Sequence, residues 1–229
     1  MRVRIKYSRE GPCRFLSHLD MVRVFFRALR RGQLPLAYSQ GFHPQPRLAF
    51  AAPLPVGTAG LAEYLDVYLT VPVEASNLPE ILNRQLPAGL TILEAREVPE
   101  QGESLMALVN SFRYRVDLPG TAREMAAADL ERLQEAPEAP VERRTKKGPV
   151  KRDIKPFITG ICLKGEPESE TGWYLELTLA SGPRGSVRPE EVLTALGIDD
   201  EAALITREGV YIARGEKKFT PIDVINGEA

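Results

Sequence analysis

The side chains best suited to chemistry are concentrated between Arg14 and Phe50. This stretch contains both histidines of the chain, His18 and His43, together with arginines at helical spacing. An imidazole titrates close to neutral pH, so the two histidines could act as general acid and base if the fold brings them together. Guanidinium groups instead bind phosphate and carboxylate through a fixed fork of N–H donors. We therefore weigh two kinds of site, an acid–base pair and an anion-binding surface, and favour the second.

A helix is predicted directly after Ser17. Ser17 suits the N-cap position, and Asp20 three residues later resembles the acidic partner of a capping box. Gly32 and Pro35 end the helix. The apolar stripe expected to face the core consists of Leu19, Val22, Phe26 and Leu29. A second face collects four arginines: Arg23, Arg27, Arg30 and Arg31. A solvated helix face and an anion-binding face both fit this pattern.

A loop with special backbone residues follows the helix. Gly41 is expected to supply a positive φ, and Pro44 and Pro46 fix extended backbone around Gln45. Such a rigid loop can present aromatic rings and a guanidinium to unpaired bases and phosphates. The candidate RNA-binding residues of this loop are Tyr38, Gln40, Phe42, His43 and Arg47. The alternative is a crossover loop whose aromatic residues fill the core, and for Phe42 taken alone we favour that alternative.

Charge is unevenly distributed along the chain. The net charge is −1, but residues 1–50 carry ten lysines and arginines against two acids. A second basic cluster spans residues 143–155, with seven basic residues against Asp153. Local fields rather than net charge attract polyanions. The candidate anion-binding residues therefore also include Arg14, Arg143, Arg144, Lys146, Lys147, Lys151 and Arg152. A disordered, solvated segment is the alternative interpretation of the second cluster.

Composition argues against several kinds of site and location. No apolar run approaches the ~20 residues that span a membrane, and no signal-peptide pattern follows Met1, so we expect a cytoplasmic protein without a membrane partner. Cys13 and Cys162 are too few for a disulfide framework or a zinc motif. Two histidines and two cysteines also make an intrinsic zinc or iron–sulfur site unexpected. We predict that this chain binds no metal or cofactor of its own.

The predicted strands and helices occur in the order β-α-β-β-α-β in each half of the chain. Residues 2–8 alternate apolar and charged side chains, which predicts a half-buried strand whose charged side chains face away from the core. Matching elements start at residues 2 and 112, 17 and 121, 47 and 154, 62 and 173, 76 and 188, and 90 and 203. This order predicts an α+β fold of tandem ferredoxin-like units with antiparallel sheets.

The predicted domains are residues 1–100, with the basic helix and the Gly/Pro loop, and residues 101–229, with a basic loop at 137–155. The polar, proline-bearing part of that loop, residues 137–149, is interpreted as a long loop or an extended hairpin.

The motifs of the first half resemble those of the bacterial radical-SAM-linked proteins. R-F-L-S-H-L-D lies at Arg14–Asp20, R-A-L-R-R at Arg27–Arg31, and E-Y-L-D at Glu63–Asp66. L-P-L-A-Y-S-Q-G-F-x-P-x-P-R lies at Leu34–Arg47, and K-R-D-I-K-P at Lys151–Pro156 extends the resemblance into the second half. The resemblance implies a radical SAM partner enzyme, which carries an iron–sulfur cluster and S-adenosylmethionine, and an RNA setting. It implies no reaction.

One departure from the family's motif bears on catalysis. The family loop usually reads F-N-P-H-P, whereas this chain has Phe42-His43-Pro44-Gln45-Pro46, so Gln45 stands at the family's histidine position. That argues against an essential acid–base histidine in the loop. The leading hypothesis is an RNA-binding accessory module without catalytic activity of its own, which presents tRNA or rRNA to a radical SAM partner and has no DNA partner. Two alternatives stay open: a metal-independent endoribonuclease of the tandem ferredoxin type that uses His18 and His43, and a protein-only adaptor of the radical SAM enzyme.

Overall fold

The structure, a computed structural model, describes residues 1–118, 123–145, 148–165, 172–183, 185–198 and 203–224. The chain forms two compact units, Met1–Asn110 with Gly209–Ala229, and Ser111–Glu208. The predicted domains, 1–100 and 101–229, stay a prediction.

The first unit begins in the order β-α-β-β-α-β. Its elements are β1 (Arg2–Arg9), α1 (His18–Arg31), β2 (Leu48–Phe50), β3 (Ala59–Tyr68), α2 (Leu78–Asn83), β4 (Leu90–Val98) and the single-turn helix α3 (Leu105–Leu108). The strands are antiparallel neighbours in the order β2-β3-β1-β4. Strand β4 begins at the predicted residue, Leu90.

The second unit contains an antiparallel sheet and a separate hairpin. Its elements are β5 (Ser111–Leu118), α4 (Arg123–Glu135), β6 (Pro140–Thr145), β7 (Gly148–Asp153), β8 (Ile158–Gly165), β9 (Trp173–Gly182), β10 (Gly185–Ser186), α5 (Pro189–Ala195) and the first part of β11 (Leu204–Arg214). Strand β9 lies between β8 and β5, and β10 pairs with its end. Strands β6 and β7 pair with each other, so the basic segment forms the extended hairpin.

The chain returns to the first unit at Gly209, in the second part of β11, and continues into β12 (Lys217–Phe219), which pairs with β11. The mixed α+β architecture predicted from the pattern is confirmed. The tandem ferredoxin-like arrangement stays a prediction.

Helix α1 begins with the predicted capping box. The N–H of Asp20 donates to Oγ of Ser17 at 3.2 Å, and the N–H of Ser17 donates to Oδ2 of Asp20 at 3.3 Å. Gly32 ends the helix with φ −72°, and the left-handed conformation falls on Gln33 instead. A larger residue at position 32 would displace Ile81, because Cγ2 of Ile81 lies 2.9 Å from where a Cβ would stand.

The buried stripe of α1 differs from the predicted one. The residues that face the core are Met21, Phe25, Ala28 and Leu29. Of the predicted stripe, Leu29 is buried, Val22 and Phe26 are half-buried and pack against the core, and Leu19 is exposed, so the stripe is only partly buried. Two overlapping apolar stripes run along this helix, and packing selects the one that meets Tyr7, whose ring lies 4.9 Å from that of Phe25.

Strand β1 is buried on both faces, so the half-buried strand is a wrong prediction. Arg2 and Arg4 contact the buried carboxylate of Asp66 on β3, which stands directly opposite Arg4. Nη1 of Arg4 also donates to the carbonyl of Pro221 at 2.7 Å. Because the C-terminal segment covers this face and Asp66 neutralises one of the two charges there, guanidinium groups occupy positions that the alternation assigned to solvent.

Candidate nucleic-acid interface

The exposed side of α1 presents three arginines at intervals of three and four residues: Arg23, Arg27 and Arg30. Arg23 lies 3.3 Å from Asp20, but both side chains are largely exposed, and such surface pairs are worth only about 0–1 kcal/mol. Among the described residues, no acid lies within ion-pair distance of Arg27. The guanidinium of Arg30 lies over the ring of Phe26, 5.6 Å from its centroid. The three charges therefore remain open to an anionic ligand.

Arg14 and Arg31, the other candidates near this helix, are held by local contacts. Arg31 donates to the backbone carbonyl of Gln85. Arg14 is half-buried, with its guanidinium 4.8 Å from the ring centroid of Phe15. Both are less available to a ligand than the three exposed arginines.

The loop after α1 is held at its base by backbone contacts. The N–H of Ser39 donates to the carbonyl of Gln45 at 2.8 Å, and the N–H of Gln45 donates to Oγ of Ser39 at 3.0 Å. The N–H of Arg47 donates to the carbonyl of Ala37 at 2.9 Å. Gly41 has φ +128°, the positive value that its type predicted. Backbone hydrogen bonds therefore close the loop at its base and define its conformation.

Phe42 lies at the tip of this loop with its side chain fully exposed, so the prediction that it fills the core is wrong. The Ser39–Gln45 contacts close the loop below it, which leaves the tip no core to pack against. Gln40 and His43, its neighbours on either side of the Gly41–Phe42 step, are exposed as well. An aromatic ring held in water is a ready surface for stacking.

One ring contact joins the loop to the helix. The rings of Phe26 and Tyr38 meet edge to face with centroids 6.4 Å apart, and Arg30 lies on Phe26. At the base of the loop, the guanidinium of Arg47 lies 4.1 Å from the ring centroid of Tyr68. We call this surface the basic face, and it consists of Arg23, Phe26, Arg27, Arg30, Tyr38, Phe42, Arg47 and Tyr68.

Phe26 and Tyr68 are members of the basic face that the sequence analysis did not identify as site residues. Phe26 was assigned to the core stripe of the helix. Tyr68 is 21 residues from Arg47 in sequence, and the N–H of Tyr68 donates to the carbonyl of Arg47 at 3.2 Å. The register of β3 decides this contact, and no local pattern in the sequence encodes it.

The two histidines are not joined by any hydrogen bond or ring contact, and both lie in the described ranges. His18 is the first residue of α1, and its ring packs edge to face on Phe50 with centroids 5.1 Å apart. His43 lies on the exposed tip of the loop. The acid–base pair of His18 and His43 stays a prediction.

In the second unit, the basic hairpin contains a tightly paired arginine. Arg143 on β6 contacts both carboxylate oxygens of Glu191 on α5, each at 2.5 Å, and donates to the carbonyl of Ser186 at 2.9 Å. Two-point contacts between guanidinium and carboxylate are among the strong hydrogen-bonded pairs. Its charge therefore holds the hairpin to α5.

The other basic residues of the hairpin have different surroundings. Lys151 is exposed on β7, and the guanidinium of Arg152 lies 4.6 Å from the ring centroid of Phe157. Arg144 stands opposite Pro149 in the backbone ladder. Lys146 and Lys147 lie outside the described residues. Among the candidate residues of this hairpin whose side chains are described, Lys151 is the exposed one.

The contact between Arg143 and Glu191 gives a pH-dependent contribution to stability. Burial raises the pKa of the Glu191 carboxyl, but hydrogen bonds from Arg143 and from the N–H of Arg188 lower that pKa further, below its ordinary value. Because the pKa is lower in the folded state, this stabilisation is complete above the unfolded value, about 4.3, and is lost as the pH falls through the folded one.

We therefore expect the wild type to lose more free energy of unfolding than Glu191→Gln between pH 7 and pH 3, as measured by urea unfolding. Glu97→Gln is the control, because Glu97 is exposed and no cation lies within ion-pair distance of it in the described part of the chain. Equal pH dependence of wild type and Glu191→Gln would contradict the assignment.

Within the described ranges, no group of three or more His, Cys, Asp or Glu residues could hold a metal ion. No helix among those same residues is both long and apolar enough to cross a membrane.

Comparison with known protein families shows to which family the chain belongs. A profile described as an uncharacterized protein conserved in bacteria, DUF2344, matches residues 2–189. The chain belongs to the DUF2344 family. The matched part of this DUF2344 protein runs from β1 to the first residue of α5, so it includes every residue of the basic face and the basic hairpin. No curated protein matches the chain.

Proposed function

We propose that this DUF2344 protein is a cytoplasmic RNA-binding accessory module that presents tRNA or rRNA to a radical SAM partner enzyme. The observation that carries the proposal is the basic face, where exposed arginines lie on the half-buried rings of Phe26 and Tyr68 and the following loop adds the exposed rings of Tyr38 and Phe42. We further propose that the two units are tandem ferredoxin-like folds, which the strand orders β2-β3-β1-β4 and β8-β9-β5 support.

The charges of the basic face suit a phosphate backbone. Arg23, Arg27 and Arg30 rise along one side of a rigid helix, and Arg47 adds a fourth cation at the base of the loop. Each guanidinium that contacts a phosphate releases condensed counterions, so binding of this kind weakens steeply with salt. The dense charge of RNA can therefore be held without any reading of its base sequence.

The aromatic rings add a preference for unpaired bases. Phe42 projects fully into solvent at the tip of a closed loop, and Tyr38, which precedes that tip, is exposed as well. A base can stack on such a ring only where it is not already stacked in a duplex, and stacking is worth about 1–3 kcal/mol per base. The expected ligands are loops, bulges or ends of folded RNA.

The partner in this proposal comes from the motif resemblance. The radical SAM enzyme would carry the iron–sulfur cluster and S-adenosylmethionine, and this chain would contribute the RNA-binding surface. Co-purification with the partner in the absence of RNA binding would select a protein-only adaptor instead.

Fluorescence anisotropy with labelled tRNA and rRNA fragments tests the proposal. We expect salt-sensitive binding that the double variant Arg27→Glu/Arg47→Glu weakens by at least about tenfold and whose salt slope falls by about 2, since one phosphate contact accounts for a slope of about 1.

The matched control is Lys217→Glu/Lys218→Glu, which makes the same total charge change at two exposed residues of β12, outside the basic face. It should bind RNA like the wild type. Salt-insensitive binding, or full binding by the double variant, would refute the proposal.

A further inference from the structure

A cavity of about 250 Å³ lies in the first unit beside the buried ion cluster of β1. Its cationic lining consists of Arg2, Arg4 and Arg214. Apolar walls are provided by Val98, Leu108 and Val224. The remaining side is formed by Pro99, Gln101, Gly102 and Glu103, and Glu103 is acidic and exposed. None of these residues belongs to the basic face.

The charges at this cavity do not balance. Arg2 and Arg4 share the single carboxylate of Asp66: Nε and Nη2 of Arg2 lie 2.8 and 2.6 Å from Oδ2, and Nε of Arg4 lies 2.8 Å from Oδ1. Both arginines are at most 4% exposed and Asp66 is fully buried. No second carboxylate lies within ion-pair distance of either guanidinium among the residues that the structure describes. Two cations and one anion therefore leave one buried positive charge.

Backbone carbonyls satisfy part of this charge. Arg2 donates to the carbonyls of Pro99 and Glu103, each at 3.3 Å, and Nη1 of Arg4 donates to the carbonyl of Pro221. A guanidinium has five N–H donors, two on each Nη. The contacts of Arg4 use one N–H of Nη1 and one of Nη2, which leaves a second N–H on each nitrogen. Arg4 lines the cavity, so donors and excess charge occur at the same place.

We propose that this cavity binds a small oxyanion of the phosphate class. A buried cation without a counter-charge is costly, and an oxyanion would supply both the missing charge and acceptors for the remaining N–H groups. Arg214, which has an interaction of its own, adds positive potential to the same wall. The apolar wall at Leu108 and Val224 leaves room for a small organic body attached to the phosphate.

Isothermal titration calorimetry and thermal unfolding with inorganic phosphate test this, at constant ionic strength against chloride. We expect saturable binding and a saturable rise in Tm. Gln101→Glu places a negative charge at the exposed edge of the cavity without touching the core, and should weaken phosphate binding by at least about tenfold, which corresponds to 1.4 kcal/mol.

Leu108→Trp is the second variant, because it fills the cavity without changing any charge. Met106→Trp is its control, since Met106 lies on the same turn of α3 but is exposed and does not line the cavity. We expect Leu108→Trp to lose phosphate binding and Met106→Trp to keep it. Absence of a saturable response in the wild type, or an undiminished response in both Gln101→Glu and Leu108→Trp, would overturn the proposal. RNA binding by the basic face does not enter any of these measurements.

Discussion

Replacing Asp66 with asparagine is expected to lower the free energy of unfolding by about 3–5 kcal/mol, as breaking a buried ion pair does. The carboxylate accepts hydrogen bonds from both Arg2 and Arg4, at 2.6 to 3.0 Å, and all three side chains are almost completely buried. The substitution leaves two guanidinium groups without a counter-charge inside the protein. Their desolvation is then uncompensated, and the loss exceeds that of a single hydrogen bond.

Urea unfolding of wild type and variant at pH 7 measures this loss. The matched control is Glu94→Gln, because Glu94 is paired with Arg96 at 2.9 Å with both side chains more than a third exposed. That variant should differ from wild type by no more than about 1 kcal/mol. Equal effects of the two substitutions would show that Asp66 does not neutralise the buried arginines.

The second large effect is expected for Phe25→Ala, at about 3–5 kcal/mol. Phe25 is fully buried on α1, and its ring packs edge to face on Tyr7 and Phe50, with centroids 4.9 and 5.8 Å away. Removing the ring leaves a cavity between α1 and the sheet and also removes both aromatic contacts. The same urea experiment measures the difference.

Phe42→Ala is the matched control for Phe25→Ala, because it removes the same atoms from an exposed position. Its stability should lie within about 0.5 kcal/mol of wild type. If the basic face stacks bases, the same variant should lose about 1–3 kcal/mol of RNA-binding free energy. A Phe25→Ala protein as stable as Phe42→Ala would contradict the assignment of the core.

Local sequence signals predicted much of the secondary structure. The capping box at Ser17 and Asp20 placed the start of α1, and β4 begins at the predicted residue 90. Signals of this kind depend only on residues within one helical turn or one strand, so they can be identified from the local sequence alone.

The errors concern contacts between distant parts of the chain. Alternation in β1 placed Arg2 and Arg4 in solvent because Asp66, 62 residues from Arg4, is invisible to a strand pattern. The choice between two apolar stripes on α1 depended on which of them meets Tyr7. Phe42 was assigned to the core because hydrophobicity alone does not report that the loop is closed beneath it. In each case contacts with residues distant in sequence determine whether the side chain is buried or exposed.

The arginines of the basic face were easier to place from the sequence than its aromatic residues were. Arg23, Arg27 and Arg30 share a face as the helical period requires, since that period is nearly independent of context. Arg143, by contrast, is an anion-binding candidate in the sequence but is paired with Glu191 on α5 in the structure. Whether an arginine binds a ligand or a neighbouring carboxylate depends on residues far away in sequence.

The course of the chain has a consequence for dissecting this protein. The first unit is assembled from two separate segments, and the second unit is inserted between them at Asn110 and Gly209. A fragment that stops after residue 110 would lack the carbonyl of Pro221 that binds Arg4 and would bare the charged face of β1. Splitting the gene at its midpoint therefore does not yield a native half, whereas excising the inserted segment and rejoining its flanks is the cut that the topology permits.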